Sequence, residues 1–183
     1  MRQALILVTL LALLQITLAA VTPLFPNGNY HIFTGTSHNP KGYRFFTASP
    51  NPSNSAITLE LRATNNSNKL QLWKLRNHSS GRISFELIGK PGYYLGLGRS
   101  GGLPGAYLGT NNANQQKWEI KKGHKKLLVL GGDLTKYQLT FPRKFHNRTL
   151  VIDESPDCTT PPRVALAYKN PEITQAWKLG SFA

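Results

Sequence analysis

Gln71-Leu72-Trp73, Gln116-Lys117-Trp118 and Gln175-Ala176-Trp177 hold all three tryptophans of the chain. Each Trp is the third residue of a Gln-x-Trp triplet. Gln is scarce, at 7 of 183 residues. Its recurrence two places before every Trp therefore marks one structural unit used three times. The triplets lie 45 and 59 residues apart.

Between the triplets, helical periodicity is almost absent. Short β-rich or alternating segments occur at 30–34, 43–48, 57–63, 73–76, 82–88, 93–97, 106–110, 118–122, 126–130, 137–141, 149–153, 164–168 and 177–179. Turn-forming runs separate them, among them Asn39-Pro40-Lys41-Gly42, Lys90-Pro91-Gly92, Gly101-Gly102 and Gly131-Gly132. Many short strands at regular spacing predict an all-β barrel or sandwich. Each Gln-x-Trp falls at the last strand of a four-strand unit. The first and third units align at their starts: Tyr30 reaches Tyr43, and Tyr137 reaches Leu150, after the same 13 residues. The second unit has a shorter first hairpin. The extra length of the third falls between Trp118 and Tyr137, where a basic run followed by Leu127 to Leu130 reads as an added hairpin arm.

Three four-strand units, each ending in Gln-x-Trp, resemble the β-trefoil of the ricin B-chain-like lectins over residues 25 to 181. The resemblance implies a domain over 21–183, with repeats at about 25–76, 77–122 and 123–183 around a pseudo-threefold axis. It implies that the three indoles help fill a shared core and that each Gln orders the adjoining turn. Gln71, Trp73, Gln116, Trp118, Gln175 and Trp177 are then framework residues. The physics agrees, because one unit has too little apolar surface to stand alone and the three must bury their faces together.

The resemblance also implies a sugar site in each unit. An Asp follows the second strand, an aromatic platform lies on the third, and an Asn precedes the Gln. The carboxylate accepts hydrogen bonds from two sugar hydroxyls, the ring covers the apolar C–H face, and the amide both donates and accepts. All three units depart from this set. In the first, Leu70 precedes Gln71 and 43–48 holds no Asp. In the third, Thr174 precedes Gln175, Val151 takes the acid's place with Asp153 displaced along the strand, and Ala165 and Ala167 replace the polar and aromatic groups, with Tyr168 adjacent. The second comes closest: Tyr107 as platform with Asn111, Asn114 and Gln115, but only Gly96 near the acid position. The expectation is a carbohydrate-binding module with a degenerate pocket, whose partner is a glycan or polysaccharide.

Charge adds a second theme. The net charge is +14; losing Arg2 leaves 21 basic and 8 acidic side chains, a net of +13. Such a balance favours anionic partners and says little about fold. The densest cationic run is Lys117, Lys121, Lys122, Lys125 and Lys126, a candidate patch for anionic polysaccharide; Arg143, Lys144, His146 and Arg148 follow. Aromatics are not interleaved with these lysines as single-strand platforms require, so no specific nucleic-acid partner is expected.

The first 20 residues predict a signal peptide: Arg2, an apolar run from Ala4 to Leu14, then Thr17-Leu18-Ala19-Ala20. No later segment is apolar enough to span a bilayer. A secreted, extracellular glycoprotein is expected, with glycosylation sequons at Asn65, Asn77 and Asn147. The lone Cys158 provides no internal disulfide, and Asp157 beside it disfavours a reactive thiolate. No nucleophile-elbow, zinc-protease or phosphate-loop pattern occurs, and the five His residues show no metal-ligand spacing. The chain is expected to be non-catalytic, without cofactor or metal. The alternative is a protease inhibitor. Other secreted or fungal trefoil families resemble this architecture and block proteases with surface loops. The candidate loops are 34–42, 49–55 and 142–148, with Arg143 or Lys144 entering a basic-specific pocket.

Overall fold

The computed structural model describes residues 23–34, 43–51, 56–61, 69–98, 103–111, 116–122, 137–155, 160–170 and 177–180. The expected leader over 1–20, the expected strand at 126–130, and Asn65, Asn114, Gln115, Lys125, Lys126, Cys158 and Gln175 lie outside the described residues.

All regular structure among the described residues is β. The strands are β1 (Gly28–Thr34), β2 (Arg44–Thr47), β3 (Thr58–Leu61), β4 (Trp73–Asn77), β5 (Ile83–Leu87), β6 (Tyr94–Leu97), β7 (Leu108–Asn111), β8 (Glu119–Lys122), β9 (Tyr137–Phe145), β10 (Arg148–Glu154), β11 (Val164–Tyr168) and β12 (Lys178–Gly180). They coincide with the expected segments apart from a few end residues. Among the described residues no helix is long and apolar enough to cross a membrane.

Six strands close on themselves. β1 pairs with β4, β4 with β5, β8 with β9, and β12 with β1, all antiparallel. Two bridges complete the ring, Ile83 to Trp118 and Tyr137 to Trp177. Each is a reciprocal pair of backbone hydrogen bonds of 2.7–2.9 Å. Closure removes the open edges that a flat sheet of short strands would present. The other six strands form three hairpins, β2–β3, β6–β7 and β10–β11. These meet one another through the bridges Ala56 to Gly109, Thr58 to Arg163 and Tyr107 to Ala165. The Ile57 amide donates to the Leu108 carbonyl at 2.8 Å, and the Leu166 amide to Ala106 at 2.9 Å. The hairpins thus cap one end of the barrel.

The core explains the Gln-x-Trp triplets. All three indoles are fully buried in one cluster with Ile32, Phe46, Leu75, Phe85, Leu95, Leu139, Ile152 and Leu166. Each indole N–H donates to a carbonyl on the second strand of its own unit. Trp73 reaches Phe46 at 3.2 Å, Trp118 reaches Leu95 at 3.2 Å, and Trp177 reaches Ile152 at 3.0 Å. A buried indole needs such a partner, and the same solution appears in all three places. Gln71 is buried as well. Its amide donates to Thr47 Oγ1 and to the Leu61 carbonyl, both at 3.0 Å, and so holds the β2–β3 hairpin. Gln116 instead donates to the Lys117 carbonyl at 3.0 Å.

One segment differs from expectation. Residues 142–148, expected as a loop, form a hairpin. β9 continues to Phe145 and turns through His146 (φ 46°) and Asn147 (φ 59°) into Arg148, which pairs with Phe145. Two successive residues at positive φ define a two-residue turn whose twist matches the flanking strands. Pro142, the first residue of that expected loop, sits where the register shifts between Thr149 and Val151. A bulge tolerates a residue with no amide to donate.

Candidate carbohydrate site

Tyr107 enters β7 on the cap. Its carbonyl accepts from the Gly98 amide at 3.1 Å. A Cβ on Gly98 would lie 2.8 Å from that oxygen, so only glycine permits the approach. Core-facing Leu108 and Leu95 place Tyr107 and Gly109 on the opposite face of β7, because alternate residues share a face; the side chain of Asn111 lies outside the described set. Across the hairpin, Tyr94 pairs with Asn111 and Gly96 with Gly109. The strip between Tyr107 and Asn111 therefore has no side chain at its centre. Tyr107 and Asn111 are about 13 Å apart along the strand, a span for two sugar rings rather than one.

The structure adds an acid that sequence order conceals. Tyr107 bridges Ala165, and Ala165 pairs with Asp153. Directly opposed residues share a face, so Tyr107, Ala165 and Asp153 form a row across β7, β11 and β10. The Asp153 Cα is about 10 Å from that of Tyr107, two strand spacings, with the small Ala165 between them, and both Asp153 and Ala165 are buried. Arg163 places its guanidinium 4.9 Å from the Tyr107 ring centroid. Ring and carboxylate, which the resemblance puts within one unit, come here from the second and third units. Asp153 was legible as displaced along its strand; its nearness to Tyr107 was not, because strand pairing between units leaves no mark in local sequence. Val151, in the matching position for an acid, is fully buried, and it pairs with Ala167.

The cationic candidates separate. Lys117 and Lys121 are exposed on β8, but Lys121 pairs with Glu119 at 3.1 Å, and Arg82 approaches the same carboxylate at 3.9 Å. Lys122 lies on β8 with its side chain outside the described set. Of the sequons, Asn77 donates its amide to the Phe25 carbonyl at 2.8 Å and to Asn27 Oδ1 at 2.9 Å. Asn147 is exposed at the β9–β10 turn. Among the described residues, no group of three His, Cys, Asp or Glu side chains could hold a metal ion.

Comparison with known proteins finds no matching family model and no matching curated protein. Solved structures do match. A ricin B-like lectin from Macrolepiota procera, solved with lactose, superposes with a TM-score of 0.60 at 19% identity, covering 86% of this chain and 98% of that one. A mosquitocidal holotoxin gives 0.61 at 14% identity, over 87% of this chain but only 18% of the toxin. The designed threefold-symmetric protein ThreeFoil gives 0.57 at 16% identity, over 84% and 99%. At these identities the likeness establishes the fold. Together with the closed barrel and its three-hairpin cap, it defines the chain as a β-trefoil.

Proposed function

We propose that the chain is a secreted, non-catalytic carbohydrate-binding module, built as three equivalent four-strand units. The observation that carries this reading is the fold, shared over 86% of the chain with a lectin that holds lactose. The sugar lies on the Tyr107 face of the cap. The half-buried Tyr107 ring, with the Arg163 guanidinium beside it, covers its C–H side. Asn111, Asn114 and Gln115 are the candidates from sequence for its amide contacts. This chemistry matches a sugar's mixed surface, apolar on one side and polar at its rim. The test is calorimetric titration of the mature protein with mono- and disaccharides, lactose included. Tyr107→Ala is expected to weaken binding by about tenfold or more, as central contacts do. A panel without binding, or a Tyr107→Ala protein that binds as wild type, removes the reading.

A further inference from the structure

The end of the β9–β10 hairpin concentrates positive charge, and among the described residues no acid is paired with it. Arg143, Lys144 and Arg148 are exposed around the two-residue turn, and Lys169 is exposed beside them. Lys144 pairs with Thr149, whose carbonyl accepts from the Lys169 amide at 2.9 Å. On the ribbon's other face Arg148 sits over Tyr168, its guanidinium carbon 3.7 Å from the ring centroid. The ring holds the guanidinium by a cation–π contact, and the side chain stays exposed. The described carboxylates are engaged elsewhere. Glu86 pairs with Arg76, Glu119 with Lys121, and Glu154 with Arg44, while Glu60 accepts from Thr58. Asp153 lies five residues along β10 from Arg148, about 17 Å away.

We propose that this hairpin end is a binding finger for a linear anionic polysaccharide, bearing sulfate or carboxylate, and distinct from the Tyr107 face. Both faces of the ribbon end carry cations. A small ion would meet one face only, whereas a flexible chain with many charges covers both. The rings at the finger are occupied: Arg148 covers Tyr168, and His146 stands edge-on to Phe145 at 4.3 Å. The finger thus offers charge without the free aromatic faces on which nucleic-acid bases stack.

The test is binding of the full mature chain to dextran sulfate, polygalacturonate, neutral dextran and a single-stranded oligonucleotide across a salt series. Tight, salt-sensitive binding to either charged polysaccharide, with none to neutral dextran, is expected. In the triple variant Arg143→Gln, Lys144→Gln, Arg148→Gln, the slope of log affinity against log salt should fall by about two to three, one counterion for each lost cation. The charge-matched control Lys69→Gln, Lys74→Gln, Lys90→Gln should keep the wild-type slope, as should the charge-preserving pair Arg143→Lys, Arg148→Lys. Tryptophan fluorescence confirms folding of every variant. Equal losses in finger and control variants, no binding to either charged polysaccharide, or an oligonucleotide bound as tightly as both, would each overturn the proposal. Tyr107→Ala leaves these results unchanged, so failure here and failure of the sugar site are told apart.

Discussion

At the scale of single residues, the three tryptophans do two jobs. Each fills core volume, and each satisfies one carbonyl of the cap hairpin in its own unit. Trp73→Phe keeps much of the apolar bulk but removes the donor to Phe46. The orphaned carbonyl alone should cost about 1–3 kcal/mol, with a cavity cost added; urea unfolding measures the sum. Trp118→Phe and Trp177→Phe should behave alike, since the bond is the same. The Gln positions are not equivalent in this way. Gln71 ties the β2–β3 hairpin from a buried position, whereas Gln116 bonds its own neighbour's carbonyl.

Two titrating residues give stability an acid limb in two stages. His78, with Nε2 2.9 Å from Ser84 Oγ, has its pKa lowered from 6.5 by burial and then by Lys117 and Arg76. The unfolded chain therefore takes up this proton first, and stability falls as pH drops from 6.5 through the lower folded value. Glu86 is held below 4.5 by the Gly92 amide, and by Arg76, against burial. Its contribution is present above 4.5 and is lost as pH falls through its folded value. Urea midpoints measured from neutral to acid pH should show both declines. His78→Gln should flatten the first, and Glu86→Gln the second.

At the scale of elements, the β9–β10 hairpin shows where a local signal misleads. Residues 142–148 read as a loop, but a bulge gives Pro142 a place where no amide is needed. His146-Asn147 lacks the glycine usual in such turns, so no local signal announced it. The strands themselves were legible, because alternation and turn residues are local properties. Element context also separates the described sequons. Asn77 ends β4 with its amide bonded to Phe25 and Asn27, whereas Asn147 projects from a turn. Expression in a glycosylating, secreting host followed by peptide mass mapping should find glycan at Asn147 and little or none at Asn77.

At the scale of the whole molecule, the barrel closes only when β12 reaches β1, through His31–Gly180, Ile32–Leu179 and Phe33–Lys178. The third indole arrives with that strand. A chain ending at residue 170 lacks both, so it should show no cooperative unfolding transition and should expose its remaining tryptophans to quencher. The site belongs to this scale too. The place of Tyr107 at the start of a short strand was legible, because turn residues and strand pattern are local. Asp153 and Arg163 join it only through the meeting of hairpins from different units.

The sequence by itself determined the repeat, the strands and the buried indoles, because periodicity, turn chemistry and a recurring triplet are written along the chain. Tertiary structure alone decided which residues from different units stand side by side, that the second Gln bonds differently from the first, and that a proline-bearing segment is a cationic hairpin. Those outcomes depend on pairing between strands distant in sequence, and such pairing is fixed by closure of the barrel and cap rather than by any local preference.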